Sequence, residues 1–504
     1  MQDTQESIPI GNGPPDLPAE IWAHTFLLAC PAPSLEEFRL ISSKNHRRRL
    51  FNLTHVCGKW RDIAHSTSEL WSTIGIELLN TSQQEREWVD FCVNKSLHAS
   101  TLSVILAVRS APRSHPHWQK GLNRKTLTEF FSVSSPDPRL LSAIQHASRW
   151  EQFSVILSQP PIMESILHLF SSCIQGEPLL PRLCSFRVSL SPVASDCNYW
   201  GLRRPAHELN VLQSAPHLKS VSFITERVAW APTEGMPWYS PIPIPLSQLS
   251  ELILEPASSD QTHLLLGMLA GCPELRYLRL GYLMEDEMDF GSLSSLQFVR
   301  LEHLEGLSIS GEDHAVASLL DSIEVPSLQH FALSIETGAW PQASIMGFLS
   351  SVSATLTKLE IGGYYLSTGM LVPWLPLIPK LEVLSITGSL PKPRLAERLL
   401  QALTITNADH ADTELLPLLT TFHLTHRLST DIDLELFQKM VQSRGDKSRT
   451  TRLRSASIDV TADVHVSRPH FRQESFDKLV EMKKSSGLCI NIFYKVGNVS
   501  RRML

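Results

Sequence analysis

The sequence lacks the long apolar segments that membrane proteins carry. It contains no run of about 18 consecutive apolar residues, although a transmembrane helix needs about 20. The first 13 residues include Asp3 and Glu6 and have no apolar core of the kind found in secretory signals. We therefore expect neither a membrane-spanning helix nor a signal peptide.

Charge of either sign is scarce and nearly balanced. Charged residues make up 19% of the 504 residues, and 45 Lys and Arg against 51 Asp and Glu leave a formal net charge of −6. Nucleic acids and anionic membranes select proteins with a cationic excess, so we expect neither as a partner. At 42%, the hydrophobic fraction is too high for a disordered chain, so the sequence predicts a folded protein.

Cysteine is also sparse. The eight cysteines are scattered, and no Cys-x-x-Cys pair occurs. Structural zinc sites and redox motifs need close pairs, and a disulfide framework needs a much denser set. We interpret the cysteines as buried thiols of a protein in a reducing compartment, and we expect it in the cytoplasm, the nucleus or both.

Recognisable catalytic motifs are missing. The sequence has no Gly-x-Gly-x-x-Gly, no Gly-x-x-x-x-Gly-Lys-Ser/Thr and no His-Glu-x-x-His. His115 and His117 could supply two metal ligands, but no third ligand stands nearby, which favours a solvated loop. The basic run at 44–49 could be a nuclear-import or phosphate-binding patch, but we favour a solvated charge run. We expect a protein that is not an enzyme and holds no metal or cofactor.

What the sequence does contain is a repeat. Its hexad reads apolar, two residues, apolar, one residue, apolar, and recurs every 24–38 residues. Eleven hexads begin at Trp150, Leu183, Leu218, Leu249, Leu275, Leu304, Leu328, Leu356, Leu381, Leu419 and Leu453. Proline stands two residues before six of them, at Pro181, Pro216, Pro273, Pro326, Pro379 and Pro417. Proline there ends a helix and favours extended structure in its neighbour.

Several segments before these hexads have helical periodicity. They are residues 207–215, 261–272, 342–353 and 395–403. Alternating helix and strand predicts an irregular α/β solenoid with parallel strands, although a doubly wound sheet would show the same alternation. The hexad resembles the L-x-x-L-x-L strand of leucine-rich repeats. The Asn or Cys usual three residues beyond it is replaced, for example by Ser158 and Tyr364, so the resemblance is to a divergent member.

The first 71 residues do not follow the repeat. Residues 16–22 open a predicted helix, a polar interval follows, and residues 49–67 predict a second helix with one wide apolar face. Ser72–Leu78 reads as a strand. The order Leu17-Pro18, Glu20-Ile21, Val56-Cys57, Trp60 and Leu70-Trp71 resembles an F-box, with Thr25 where an aliphatic residue is usual and with a lengthened loop near 34–49.

This resemblance implies a partner. F-box helices bind the Skp adaptor, which joins them to a cullin–RING ubiquitin ligase. By resemblance, the adaptor interface would include Leu17, Pro18, Ile21, Phe26, Leu53, Val56 and Cys57. Burial in the chain's own core would demand the same residue types, so both interpretations stay open for each residue. Trp60, Ile63, Leu70 and Trp71 are expected to join the F-box to the solenoid.

The predicted organisation has three parts. Residues 1–13 form a disordered tail, 14–71 an F-box domain, and 72–504 the solenoid, with irregular inserts at 109–124 and 226–245. Target-reading candidates occupy the outward position between the last two apolar residues of a hexad: Arg279, Ser308, Glu360 and Ser385. We expect the substrate-recognition subunit of a Skp–cullin–F-box ubiquitin ligase that binds an unknown target protein. One alternative is an interaction scaffold that delivers no substrate; another is an enzyme with a site in a loop-formed pocket.

Overall fold

The structure is a computed structural model. It describes residues 17–32, 43–78, 82–107, 137–157, 161–173, 179–190, 211–225, 243–255, 262–283, 298–363, 366, 368–388, 394–405, 415–428, 434–445, 453–462, 473–486, 488–496 and 499–502. The chain divides into two compact units: residues 1–218 with 241–244, and residues 219–240 with 245–504. The predicted tail at 1–13 and insert at 109–124 lie outside the described residues, as does most of the insert at 226–245.

The first unit begins with helices and continues into a parallel sheet. Its described helices are α1 (Ala19–Ala29), α2 (Ser43–Thr54), α3 (Gly58–Ser66), α4 (Gln83–Lys95), α5 (Pro138–Ile144) and α6 (Pro161–Cys173), with 3₁₀ turns at Ser68–Trp71 and Ala147–Arg149. Its strands are β1 (Thr73–Glu77), β2 (Leu102–Ala107), β3 (Trp150–Leu157) and β4 (Ser185–Leu190). They pair in chain order, β1 with β2, β2 with β3 and β3 with β4, all parallel.

The β1 end of this sheet is covered by helices. β1 pairs with β2 on one side, and α2, α4, α5 and the 3₁₀ turn at Ser68–Trp71 contact it. Four of its five residues are buried as a result. A terminal repeat needs such a cover because its apolar side and unpaired strand edge would otherwise face water.

The second unit repeats strand and helix. Its strands are β5 (Ser220–Thr225), β6 (Glu251–Leu254), β7 (Tyr277–Leu283), β8 (Val299–Arg300), β9 (Gly306–Glu312), β10 (Ile323–Glu324), β11 (His330–Thr337), β12 (Lys358–Gly363), β13 (Val383–Gly388), β14 (Thr421–Leu428), β15 (Ser455–Ala462), β16 (Cys489–Val496) and β17 (Val499–Arg502). Its helices are α7 (Thr262–Ala270), α8 (Asp313–Ser322), α9 (Gln342–Ser351), α10 (Thr368–Leu371), α11 (Arg394–Leu403), α12 (Leu434–Arg444) and α13 (Gln473–Ser486), with 3₁₀ turns at Leu246–Gln248 and Val372–Leu377.

Ten of these strands form one parallel array in chain order. β8 and β10 pair separately with each other, and β17 pairs antiparallel with β16. The hexad explains the register, because apolar positions of successive strands stand opposite one another. Leu278 aligns with Leu307, which aligns with Phe331, and all three are buried. The outward positions between them carry mainly polar residues.

The predicted parallel α/β array is confirmed within the described residues. Each of the eleven hexads contains or overlaps a strand, and helices occupy 262–270, 342–351 and 394–403. The remaining predicted helix, 207–215, is not formed where the structure describes it: residues 211–214 form turns, and 207–210 lie outside the described residues.

Candidate functional site

One side of α1 is buried in an aromatic cluster of Trp22, Phe26 and Trp60. The Phe26 and Trp60 ring centroids lie 4.9 Å apart, and those of Trp22 and Trp60 lie 5.0 Å apart. These contacts join α1 to α3. Phe26 is 1% exposed, so of the two interpretations left open for it, the structure shows burial in the chain's own core.

The opposite side of α1 is apolar and exposed. Leu17, just before the helix, Ile21 and Leu28 are 36%, 51% and 70% exposed, and their spacing places them on one side of the helix. We call these three residues the α1 apolar surface. Pro18 is also exposed and occupies the N-cap, where its carbonyl accepts hydrogen bonds from the backbone of Ile21 and Trp22.

The second half of this region differs from its prediction. Residues 49–67 form two helices, because the chain turns at 55–57 and restarts at Gly58. Cys57 has an extended backbone, and its Sγ accepts the backbone N–H of Trp60 at 3.5 Å, which caps α3. Residues 43–49 are helical, so only 34–42 of the predicted loop lies outside the described residues. Val56 and Cys57 are exposed in the turn, and Leu53 is half-buried.

Arg47 corrects the prediction of a solvated charge run. Its guanidinium Nη2 lies 2.7 Å from Glu85 Oε2, and its Cζ lies 4.7 Å from the centroid of the Trp88 ring. The two charged side chains are 16% and 4% exposed, so this ion pair between α2 and α4 is largely dry. Basic Arg48 and Arg49, its neighbours, are exposed as predicted.

Trp71 joins the N-terminal helices to the sheet-bearing part of the first unit. Its indole N–H donates to the carbonyl of Ala64 at 2.7 Å, and its ring lies 5.1 Å from that of Phe91 on α4. Ile63, on α3, and Leu70, the residue before Trp71, are also buried. Trp60 instead packs within the helices, in the aromatic cluster.

The four target-reading candidates share one register row in the second unit. Arg279 stands opposite Ser308, and Glu360 stands opposite Ser385. Ala332 aligns with both Ser308 and Glu360 and so completes the row. Arg279 is exposed, and the other three candidates are partly exposed. We call the side of β6–β16 that carries this row the outer side.

Ion pairs hold part of the outer side in place. Arg279 Nε lies 2.6 Å from Glu255 Oε1, and Lys358 Nζ lies 2.6 Å from Glu360 Oε1. Burial alone would raise the pKa of Glu360, but Lys358 and His330 outweigh it and hold that pKa below its usual range. Burial, followed by the Lys358 charge, lowers the pKa of His330.

The described thiols include buried and exposed groups. Cys92 and Cys272 are buried, and burial raises the pKa of Cys272 to about 12, which makes its thiol a poor nucleophile. Cys57 and Cys489 are exposed. Within the described part of the chain, no three His, Cys, Asp or Glu side chains gather as metal ligands would. His115 and His117 lie outside it.

The described helices are short. The longest described helix, α13, has 14 residues, and no described helix is both long and apolar enough to cross a bilayer.

Comparison with known proteins gives no assignment. No family model matches the chain, and no curated protein matches it significantly.

Proposed function

We propose that this protein is the substrate-recognition subunit of a Skp–cullin–F-box ubiquitin ligase. In this proposal the N-terminal helices α1–α3 are an F-box that binds the Skp adaptor. The outer side of the second unit then binds the target protein. Ubiquitin transfer belongs to other subunits, so the chain itself needs no catalytic group.

The observation that supports adaptor binding most is the placement of exposed apolar side chains. Nine large apolar side chains are exposed among the described residues, and five of them belong to the N-terminal helices and their turn: Leu17, Ile21, Leu28, Phe51 and Val56. Soluble surfaces rarely gather such side chains unless a partner covers them. Leu17, Ile21 and Val56 are also positions of the F-box pattern.

The geometry of α1 fits a docking helix. Its aromatic cluster fixes one side against α3, which leaves the α1 apolar surface outward without support from the rest of the described chain. Thr25 lies between Ile21 and Leu28 and donates its hydroxyl to the Ile21 carbonyl at 2.7 Å. That bond satisfies the hydroxyl locally and so lowers the cost of placing Thr25 under a partner.

The experiment measures adaptor binding by the full-length chain with biolayer interferometry. Ile21→Ala/Leu28→Ala removes exposed side chains that a partner would bury. Because their burial would contribute about 2–3 kcal/mol to the binding free energy, we expect the affinity for the adaptor to fall by roughly 30- to 150-fold. The matched control is Leu97→Ala/Phe298→Ala, which removes side chains of similar exposure, 51% and 61%, outside the N-terminal helices. Its affinity should stay within twofold of wild type.

Two outcomes decide the proposal. Equal binding by wild type and Ile21→Ala/Leu28→Ala, or equal losses in the two double variants, would remove the basis for adaptor docking. If the adaptor binds as expected, reconstitution with the cullin–RING core separates a substrate receptor from an interaction scaffold. A receptor co-purifies with the cullin through the adaptor, whereas a scaffold outside the ligase does not.

A further inference from the structure

One turn of the first unit, between α4 and β2, anchors two arginines. Arg149, the residue before β3, donates from Nη2 to the carbonyls of Ser96 and Ala99, the latter at 2.9 Å. Arg182, three residues before β4, donates from Nη1 to the carbonyl of Ser100. Ala99 and Ser100 are adjacent, so the two guanidinium groups are held on neighbouring carbonyls. We call Arg149 and Arg182 the arginine pair.

Part of the Arg149 guanidinium has no hydrogen-bond acceptor. Its Nη1 is inaccessible to water and makes no hydrogen bond within the described part of the chain. Buried N–H groups of native proteins nearly always have an acceptor, which the protein, a water molecule or an ion supplies. The N–H groups of this nitrogen therefore mark a position where an acceptor from outside the chain would fit.

The arginine pair also lacks a compensating carboxylate. Among the described residues, neither guanidinium forms an ion pair with Asp or Glu. The pKa of Arg149 is lowered, first by burial and then by the charge of Arg182, whereas a carboxylate in contact would raise it. The pKa of His146 is lowered by burial and then by the charge of Arg149. The surroundings of the pair are therefore cationic.

The C-terminus of α4 compensates for only part of this charge. Ser96 is its C-cap, and the C-terminus of a helix carries about half of a negative elementary charge. Two guanidinium groups carry two positive charges, so an excess of about 1.5 remains. A phosphate group carries a charge of about −1.5 to −2 at neutral pH, and its oxygens are strong acceptors. Phosphate therefore matches both the excess charge and the unsatisfied N–H groups, whereas a carboxylate brings a single charge.

We infer that the arginine pair binds a phosphate group, either free phosphate or a phosphate monoester. The phosphate would accept N–H groups of the exposed Arg182 directly, and those of Arg149 Nη1 once the side chains that cover it move aside. Because carbonyls of the turn already hold both guanidinium groups, the donors are positioned before the ligand arrives. None of these residues belongs to α1–α3 or to the outer side, so the site is independent of the proposed function.

The test measures phosphate binding by the full-length chain with isothermal titration calorimetry at neutral pH and constant ionic strength. Inorganic phosphate and the peptide Gly-phosphoserine-Gly are titrated separately, with acetate and the unphosphorylated peptide as comparisons. We expect one phosphate group to bind per chain, and the comparisons to bind weaker by roughly tenfold or more. Tighter binding of the peptide would identify a phosphorylated side chain as the ligand, and tighter binding of inorganic phosphate would identify free phosphate.

Arg182→Gln removes one charge and keeps a donor for the Ser100 carbonyl. Because hydrogen bonds from arginine to phosphate are charge-assisted, the affinity for phosphate should fall by roughly tenfold or more. The matched control is Arg276→Gln, which removes an arginine of 55% exposure that directly precedes β7 and pairs with Glu305. The control should bind phosphate like wild type. Matching circular dichroism spectra verify that the variants fold.

His146 supplies a second measurement at the site. Bound phosphate should raise the pKa of His146 in NMR titrations of the full-length chain, because a negative charge beside Arg149 favours the protonated imidazole. A loss of affinity in Arg182→Gln that came only from a loosened turn would leave the wild-type pKa of His146 the same with and without phosphate. That result would overturn the site.

Three further results would overturn it: no phosphate binding by wild type, equal affinity for acetate, or equal phosphate affinity in Arg182→Gln and wild type. Glu177 is the one carboxylate in the connections that enter β2, β3 and β4, at 96–101, 145–149 and 174–184, and it lies outside the described residues. If Glu177→Gln binds phosphate and wild type does not, Glu177 is the counter-charge of the arginine pair and the inference fails.

Discussion

Replacing Arg47 with alanine tests how the N-terminal helices are fixed to the rest of the first unit. The substitution removes the cation from an ion pair of 2.7 Å and leaves Glu85, 4% exposed, without its partner. Breaking one side of a buried pair costs about 3–5 kcal/mol. Because Arg47 itself is 16% exposed, water can partly replace it, so we expect the lower end of that range, about 3 kcal/mol.

Hydrogen–deuterium exchange of the full-length chain measures this cost locally. A loss of about 3 kcal/mol speeds exchange through local opening by roughly 100-fold. The increase should appear in peptides that cover α2 and α4, and peptides from β11–β13 should keep their wild-type rates. Arg48→Ala is the matched control, because Arg48 is exposed on the same helix and should cost no more than about 0.5 kcal/mol.

A double variant separates the ion pair from the packing around it. Arg47→Met/Glu85→Leu replaces both charges with apolar groups of similar length, a change that is often neutral in buried pairs. We expect its exchange rates to lie close to those of wild type. If the hydrogen–deuterium exchange rates of Arg47→Ala equal those of Arg48→Ala, the ion pair does not stabilise the contact between α2 and α4, and the expected loss of about 3 kcal/mol is refuted.

Two further predictions concern the second unit. Gly363 has φ +118°, and a Cβ there would lie 2.0 Å from the Ile335 carbonyl oxygen. Gly363→Ala should therefore lower the free energy of unfolding, measured in urea, by about 3 kcal/mol or more. The control Gly347→Ala lies in open space on α9 and should raise that free energy by up to about 1 kcal/mol. His330 should titrate below its ordinary pKa in NMR, and Lys358→Met should raise that pKa; an unchanged midpoint would refute the role of the lysine charge. Because the folded pKa is lowered, the contribution of His330 to stability is present at neutral pH and is lost as pH falls below about 6.5.

The strands could be predicted because one sequence feature encodes both their conformation and their burial. In each hexad the apolar positions that define the pattern are those that align across the sheet, as Leu278 and Leu307 do. β16 was missed because Gly487, two residues before Cys489, stands where a leucine or, at Trp150, a tryptophan opens the other hexads. β17 was missed because it pairs antiparallel, outside the repeat.

The two candidate surfaces differ in how far the sequence defines them. In the N-terminal region the sequence identifies the apolar residues but does not separate the buried ones from the exposed ones. The reason is that the aromatic cluster that buries Phe26 depends on Trp60, 34 positions away. Helical spacing alone would have placed Leu28 with Ile21 and away from Phe26. On the outer side, the hexad position that selected Arg279 and Ser308 also selects His423 and Ser457. Only the strand register shows that His423 and Ser457 contact each other.

The cover over β1 decides how the two proposed surfaces can be tested independently. α2 and the turn at Ser68–Trp71 contact β1, and α1, which carries the α1 apolar surface, packs on α3 and on the same turn, so the helices around that surface also close the sheet at that end. A chain truncated before Ser72 would expose an unpaired strand edge and the buried side of β1, which favours aggregation. Loss of target binding in such a truncation would therefore not show that the adaptor surface matters. Ile21→Ala/Leu28→Ala avoids this problem, because it changes the exposed side of α1 and leaves Ile63 and Trp71 to hold the cover in place.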